Sequence, residues 1–233
     1  LPLGKPTCVI QNLDRWGADE IIVMCIDRYK SKAGPDFKLL NNLNELSLST
    51  TLVYAGGIRN AQDASNVIKC GADRVCLDQI YYDGSKKIES IAQKLGTQAV
   101  VLSLPSKIES GRLVSYNYIT KKPCKILIKE FKNILVHVSE VLLIDYQSEG
   151  YSGSFNENLV HQFPLDFPII AYGGIWGTKK INTLANCKNI TAVAIGNPLN
   201  FKESAVNKVK ESLISDKFRS PFYSRDGINI EYD

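Results

Sequence analysis

The chain has 233 residues, of which 44% are apolar and 22% are charged, and its formal net charge is +4 at pH 7. This composition is that of an ordinary globular protein, and one α/β barrel of ~250 residues would account for the length. Because lysines and arginines are interspersed with acids and no apolar stretch reaches the ~20 residues of a membrane span, we expect neither a nucleic-acid nor a membrane partner.

The six cysteines have no CxxC spacing, which argues against a zinc ribbon or a thioredoxin-type site. They are Cys8, Cys25, Cys70, Cys76, Cys124 and Cys187. We expect reduced thiols in a cytoplasmic protein that needs no metal and no cofactor. No signal peptide is predicted, and since the first residue is Leu rather than Met, we expect further residues upstream.

Short apolar runs rich in β-branched residues alternate with amphipathic segments along the chain. The seven runs are Glu20–Ile26, Thr51–Gly57, Arg74–Gln79, Ala99–Leu104, Glu140–Tyr146, Pro168–Gly174 and Ala192–Asn197. Their nearly unbroken apolar character is typical of parallel strands buried on both faces. The predicted helices are Pro6–Trp16, Ala61–Cys70, Lys86–Leu95, Cys124–Val136, Thr178–Leu184 and Glu203–Leu213. The alternation predicts βαβ units and therefore a parallel sheet.

One segment departs from this alternation. Arg112–Ile119 follows Ser110-Gly111 and is predicted as a small hairpin inserted after the Ala99–Leu104 strand. A closed (β/α)8 TIM barrel needs eight parallel strands, and the natural place for the absent first strand is upstream of Leu1. Gly227–Tyr232 is a short, polar-flanked alternative for that strand. We therefore predict a single barrel domain over residues 1–233 that lacks its N-terminal strand.

The barrel is predicted to consist of two similar halves. Glu20 begins one strand, and the next strand ends at Gly56-Gly57; Glu140 begins another strand, and the strand after it ends at Gly173-Gly174. Gly56 and Gly173 are 117 residues apart, about half the length of a barrel domain. A doubly wound open sheet has no such two-fold relation, so the repeat favours a barrel.

The paired glycines are candidates for phosphate binding. A Gly-Gly pair at the carboxyl end of a strand lets a phosphate approach main-chain N–H groups, and the N-terminus of a following helix attracts the anion. The candidates are Gly56, Gly57, Gly173, Gly174, Gly196 and Asn197. The same glycines are compatible with tight βα turns alone, but their recurrence at equivalent points of the repeat favours phosphate. Two such sites suit a substrate with a phosphate at each end.

Charged residues occur at both ends of the predicted strands. Asp78 follows a strand, where barrel enzymes place working side chains, although a carboxylate there also caps helices. Glu20, Arg74 and Glu140 begin their strands and lie on the opposite rim, where a salt-bridge ring is the ordinary interpretation. The two histidines, His137 and His161, have no metal-ligand spacing around them and are interpreted as structural.

Several motifs taken in order resemble a known family. They are Gly17-Ala18-Asp19-Glu20-Ile21-Ile22-Val23, Ala55-Gly56-Gly57-Ile58-Arg59, Cys70-Gly71-Ala72-Asp73-Arg74-Val75, Gly96-Thr97-Gln98-Ala99-Val100-Val101 and Ala171-Tyr172-Gly173-Gly174-Ile175. This series is similar to the cyclase subunit of imidazole glycerol phosphate synthase, from about Gly4 onward and including the hairpin. The resemblance implies a two-fold repeated barrel with a bis-phosphate substrate, to which a separate glutaminase subunit sends ammonia through the barrel core.

The resemblance assigns roles by position. It implies that Gly57, Gly174 and Gly196 hold phosphate. It places Glu20, Arg74 and Glu140 at three of the four charged positions of an ammonia gate at the bottom of the barrel. The fourth gate residue lies on the absent first strand. Asp73 and Gln98 match positions at the glutaminase interface.

The catalytic face departs from the family pattern. One catalytic Asp of the family lies on the absent first strand, and the second corresponds to Pro105, whose side chain cannot transfer a proton. A third Asp corresponds to Cys25, with Asp27 close by, and the family's Asp-Arg-Asp-Gly loop is replaced by Gln147-Ser148-Glu149-Gly150. The loss of a positioned proton-transfer group costs ~10²–10⁴ in rate, so ring formation is in doubt.

The leading hypothesis is an ammonia-accepting barrel subunit of a glutamine amidotransferase, a lyase-type paralogue that serves sugar amidation for a surface polysaccharide. Its partners would be a glutaminase, a phosphorylated or sugar substrate and a third amidotransferase protein. One alternative is an active cyclase of histidine biosynthesis, in which Asp78, Asp145 or Glu149 replaces the lost acid. The second alternative is an inactive phosphate-binding scaffold that regulates a partner.

Overall fold

The computed structural model describes residues 4–197, 199, 203–213, 217–221, 223–225 and 228–230. The helices are α1 (Pro6–Arg15), α2 (Phe37–Asn44), α3 (Ala61–Lys69), α4 (Ser85–Leu95), α5 (Ile128–Leu135), α6 (Asn158–His161), α7 (Thr178–Ala185) and α8 (Ala205–Glu211). The strands are β1 (Glu20–Met24), β2 (Thr51–Ala55), β3 (Arg74–Leu77), β4 (Val100–Glu109), β5 (Arg112–Asn117), β6 (Lys122–Lys125), β7 (Glu140–Asp145), β8 (Ile169–Tyr172), β9 (Ile190–Val193), β10 (Tyr223–Arg225) and β11 (Ile228–Ile230).

Seven parallel strands form one sheet in the order β1-β2-β3-β4-β7-β8-β9, and helices alternate with them along the chain. Strand neighbours in the sheet are thus also neighbours among the parallel strands in sequence, the order in which a (β/α)8 barrel is wound. In the register of the first three strands, Glu20 pairs with Thr51, and Val53 pairs with Arg74. This is the TIM-barrel architecture that the sequence predicts, with seven of its strands in the described part of the chain.

The sheet has apolar side chains on both faces, as its nearly unbroken apolar strands require. One set includes the fully buried Tyr54 and Leu102 and packs against the helices, which contribute buried side chains such as Phe131 on α5. The other set forms the barrel interior and comprises Val53, Ala55, Cys76, Val101, Leu142, Ile144 and Ile170, with Ala192 and Ala194 packed against it. The interior is therefore apolar and is lined at several points by small side chains.

The predicted hairpin is larger than the sequence indicated. β4 continues to Glu109, and its outer part pairs antiparallel with β5, which in turn pairs antiparallel with β6. Because Lys122–Lys125 is part of this sheet, α5 begins at Ile128 rather than at Cys124. The hairpin extends β4 beyond the carboxyl end of the barrel and stands beside its mouth.

Three further expectations need correction. α2 and α6 were not predicted, and the last parallel strand is Ile190–Val193 rather than Ala192–Asn197. Ile228–Ile230, inside the alternative candidate for the eighth strand, pairs antiparallel with Tyr223–Arg225 in a separate two-stranded sheet. It therefore does not complete the barrel. None of the described helices is long and apolar enough to span a bilayer.

Candidate functional site

Arg74 joins three strands at the amino-terminal rim of the barrel. Its Nη1 donates to both carboxylate oxygens of Glu20 on β1, at 2.8 and 3.1 Å, and its Nη2 donates to Glu140 on β7 at 2.6 Å. β1 and β7 each lie two strands away from β3, on opposite sides of it. One side chain reaches both only across the barrel interior, so the three residues span its amino-terminal end.

Two hydroxyl groups hold this network in place. Ser139 accepts a hydrogen bond from Arg74 Nη2 at 2.8 Å and donates to the carbonyl oxygen of Val100 at 2.9 Å. Thr191 donates to the second oxygen of Glu140 at 2.8 Å. Burial by itself lowers the pKa of the Arg74 guanidinium, but the hydrogen bonds and charges of Glu140 and Glu20 raise it, so the arginine stays charged.

The predicted interface residues lie on the same rim. The Asp73 carboxylate accepts from the backbone N–H of Leu52 at 2.7 Å, and Gln98 is exposed on the turn before β4. Asp73 also lines a groove of about 490 Å³ whose other walls include Leu43, Leu48 and Ile68. The rim therefore offers a concave, partly apolar surface with a carboxylate next to the Arg74 network.

At the carboxyl rim, the two glycine pairs have matching backbone conformations. The φ angles are +129° and +71° at Gly56 and Gly57, and +108° and +66° at Gly173 and Gly174. A non-glycine residue is strained in this region of φ. The match shows that the internal repeat seen in the sequence is also a repeat of local structure.

Close packing of the chain itself also requires these glycines. A Cβ at Gly56 would lie 2.4 Å from the carbonyl oxygen of Cys25, and one at Gly173 would lie 2.5 Å from that of Asp145. Tight βα turns thus account for the glycine pairs, and phosphate binding by their N–H groups stays a prediction. Gly196 differs, because its φ is not positive and a Cβ there would be 3.6 Å from the Tyr172 hydroxyl.

Asp78, one of the candidate acids, anchors the hairpin to the barrel. Its carboxylate accepts from the Tyr118 hydroxyl at 2.6 Å and from the backbone N–H of Gln79 at 2.6 Å. Burial raises the pKa of the Asp78 carboxyl, although these two hydrogen bonds act in the opposite direction. A carboxyl with a raised pKa at the mouth of a barrel is suited to proton transfer, and the same contacts also make it a helix cap.

The other candidate acids have different surroundings. Asp145 is 2% exposed, and its two oxygens accept from the backbone N–H groups of Gln147, Ser148 and Asn156. These bonds fix the loop after β7, which leaves the carboxylate little freedom to act on a substrate. Glu149 is exposed and accepts a hydrogen bond from the Tyr172 hydroxyl at 3.2 Å. Of the three candidates, Asp78 and Glu149 are therefore the two whose carboxyl groups could take part in proton transfer at the mouth of the barrel.

Two tyrosines stack near Pro105, one at the end of each of the strands that flank β4. Ser106 pairs with Ser115 on one side of β4 and with Asp145 on the other, and the residues that follow these partners are Tyr116 and Tyr146. The two rings stack with centroids 4.3 Å apart and planes inclined by 20°. Since Tyr146 packs against the interior cluster, the stack crosses β4 on its interior side. Aromatic rings thus occupy the surroundings of the position where the resembling family has an acid.

Sequence reasoning missed this aromatic pair because two residues thirty positions apart meet only through the register of β4. Tyr118 was missed for the same reason. The alternation of side chains on the hairpin strands was the one available signal. Among the described residues, no group of histidines, cysteines and acids could hold a metal ion, and His161 lies on α6 while His137 lies just beyond α5.

Comparison with known proteins places the chain among biosynthetic barrels. A model of the family described as histidine biosynthesis protein matches residues 2–204. Three similar proteins are each named imidazole glycerol phosphate synthase subunit HisF. The one from Exiguobacterium sp. is 23% identical over 226 residues, covering 95% of this chain and 88% of that protein. The one from Thermotoga sp. is 28% identical (90% and 84% covered), and the one from Legionella pneumophila is 30% identical (77% and 87% covered).

Gly173→Ala should destabilise the protein by roughly 2–4 kcal/mol, because it adds both a strained φ and a Cβ at 2.5 Å from the Asp145 carbonyl. Gly84→Ala is the matched control, since its φ is +101° but no atom lies within 4 Å of the added Cβ. Urea unfolding of the two variants separates the clash from the strain. Equal losses in both would contradict the close packing at Gly173.

Asp78→Asn should raise the free energy of unfolding at pH 7. The folded-state pKa of Asp78 is raised by burial above its ordinary value of 3.8, so the folded state binds more protons than the unfolded state, and stability falls as pH rises through that window. Asparagine retains an acceptor for Gln79 and a partner for Tyr118 without the buried charge. The gain should shrink as pH falls toward 4 in urea titrations. A variant less stable than the wild type at pH 7 would contradict it.

Proposed function

The chain belongs to the histidine biosynthesis protein family, and from that premise we propose that it is a barrel subunit of a glutamine amidotransferase that receives ammonia at its amino-terminal rim. The observation that carries the proposal is the network in which Arg74 bridges Glu20 and Glu140 across the end of an apolar barrel interior. The similarity to proteins named imidazole glycerol phosphate synthase subunit HisF supports a cyclase-like subunit of this kind.

The interior suits a small neutral molecule. Moving an ion into apolar surroundings is costly, whereas neutral ammonia has no net charge to desolvate. Ala55, Cys76 and Ala192 leave room between the larger aliphatic side chains of the interior. In the proposed function the apolar interior admits ammonia and excludes ammonium, while Ser139 and Thr191 keep the carboxylates and the guanidinium at its entrance in position.

The rim also suits docking of a glutaminase. The groove beside Asp73 is concave and partly apolar, as the core of a protein interface is, and the exposed Gln98 and the Asp73 carboxylate would supply polar contacts at its edge. A partner seated there would release ammonia next to the Arg74 network.

We further propose that the acceptor is not the cyclase substrate of the family but a sugar that is amidated for a surface polysaccharide, with a third protein completing the reaction. The supporting observation is the catalytic face, where Pro105 offers no acid and Tyr116 and Tyr146 stack at the ends of the strands that flank β4. A subunit that only passes ammonia on retains the conduit without those acids.

The second candidate is an active cyclase in histidine biosynthesis, which the names of the matching relatives favour. In that case Asp78, with its raised pKa and its place at the end of β3, is the residue best suited to replace the lost acid. The glycine loops of the two halves would hold the two phosphates of the substrate.

The two candidates differ in turnover with free ammonia. With the family's ribonucleotide substrate and ammonium salt, we expect no imidazole formation by the full-length protein, because position 105 has no proton-transfer group. The Thermotoga relative, assayed in parallel, is the positive control. Turnover within about tenfold of the ~10 s⁻¹ typical of enzymes would instead establish the cyclase.

Coupling to a glutaminase tests the ammonia-accepting role itself. Addition of this chain to the glutaminase subunit of an imidazole glycerol phosphate synthase should stimulate glutamine hydrolysis. Asp73→Asn should weaken the stimulation, since it removes the charge at the groove but keeps an acceptor for the Leu52 N–H. Asp83→Asn, at the opposite end of the barrel beside Tyr29, is the control. Binding without stimulation would favour the inactive scaffold.

A further inference from the structure

The positive charge of the chain is concentrated in one short segment. Residues 121–132 contain five lysines (Lys121, Lys122, Lys125, Lys129 and Lys132) and a single acid, Glu130. The whole chain has 28 basic and 24 acidic residues, so these twelve residues account for its entire net charge of +4. The rest of the sequence is balanced. The net charge of the whole chain does not reveal that the excess lysines lie in this one segment.

All five lysines are exposed and unpaired in the described part of the structure. They lie on β6, on the turn before it and on α5, where Lys129 is in the first turn and Lys132 in the last. Among the described residues, no ion pair or hydrogen bond involves the ammonium group of any of them, whereas lysines elsewhere, such as Lys87 and Lys180, are paired with acids. Nothing in the described fold therefore uses this charge.

Aliphatic side chains are exposed among the lysines. Leu127 is 55% exposed, Ile128 is 43% exposed and Ile119, on the turn between β5 and β6, is 41% exposed. The first residue before α5 is Leu127, which gives the helix no side-chain cap, so its first N–H groups are free to meet an anion. We call residues 119–132 with these side chains the basic-aliphatic surface.

Protection of a sheet edge explains only part of this surface. Lysines on an edge strand such as β6 discourage pairing with other chains, which accounts for Lys122 and Lys125. It accounts neither for Lys129 and Lys132 on α5 nor for the exposed Leu127. Lysine near the N-terminus of a helix is also unfavourable for the helix dipole, so the local fold gains nothing from Lys129.

We propose that the basic-aliphatic surface docks the protein on an anionic membrane surface. Lysines attract acidic headgroups, and aliphatic side chains between them enter the boundary of the acyl chains. The composition argues against the other polyanionic partners. Protein interfaces are depleted in lysine, and single-stranded nucleic acids stack on aromatic side chains, but this surface has five lysines, exposed aliphatic side chains and one aromatic residue, the fully buried Phe131.

The surface lies beside the mouth of the barrel. The hairpin extends from the carboxyl end of β4, and α5 begins at that same end because it runs back along the outside of the sheet to reach β7. Docking would thus bring the glycine loops and Asp78 close to the membrane while the Arg74 rim, at the other end, stays free for a partner.

Vesicle binding tests the proposal directly. The full-length protein should co-sediment with vesicles of 70% phosphatidylcholine and 30% phosphatidylglycerol, and far less with phosphatidylcholine alone. Since each lysine near such a surface contributes about 1 kcal/mol, Lys121→Gln/Lys125→Gln/Lys129→Gln should lower the partition coefficient at least about tenfold. The matched control, Lys38→Gln/Lys69→Gln/Lys94→Gln, removes three exposed, unpaired lysines from α2, α3 and α4 and should leave binding within about twofold.

The aliphatic part is tested separately. Leu127→Ser/Ile128→Ser should weaken binding even in 0.5 M salt, where charge is screened, and urea unfolding checks that each variant is folded. Three results would overturn the proposal: equal loss in both lysine triples, equal binding to phosphatidylcholine vesicles, or binding to duplex DNA at least as tight as to the anionic vesicles. The last outcome would identify a general polyanion site.

Discussion

The amino-terminal end of the barrel, where we propose that ammonia enters, depends on the bridge from Arg74 to Glu20 and Glu140. The Arg74 guanidinium on β3 can contact carboxylates on both β1 and β7, each two strands away, only if the sheet is curved around it. The bridge therefore depends on the curvature of the barrel. The Arg74 side chain is only 13% exposed. The Glu140 side chain is 18% exposed and that of Glu20 is 34% exposed, so removal of Glu140 would leave the guanidinium with its more solvent-screened partner.

The two ends of the barrel differ in the contacts of their polar side chains. At the amino-terminal end, both carboxylate oxygens of Glu140 and both terminal nitrogens of Arg74 have partners, whereas the Arg74 Nε is buried without one among the described residues. At the carboxyl end, tyrosines occupy the surroundings of Pro105, and Asp78 is tied to the hairpin through Tyr118. A subunit that must receive ammonia but no longer closes an imidazole ring would be expected to retain the first end and alter the second.

The sequence allowed prediction of the features that depend on local pattern. Nearly unbroken apolar runs gave the parallel strands, and the recurrence of Gly56-Gly57 and Gly173-Gly174 gave a repeat that the matching φ angles confirm. It did not give α2 or α6, which are only eight and four residues long. The burial of Asp145 depends on three backbone N–H groups from a loop, and backbone donors have no signature in a sequence.

In the proposed function the amino-terminal rim is the surface on which a glutaminase delivers ammonia. Hydrogen exchange of the full-length protein, followed by mass spectrometry with and without a glutaminase subunit of an imidazole glycerol phosphate synthase, tests it most directly. With the glutaminase present, we expect slower amide exchange around Leu52, Asp73 and Gln98 and unchanged exchange in the hairpin. Protection confined to the hairpin and the carboxyl-terminal loops, or no protection at saturating partner, would contradict it.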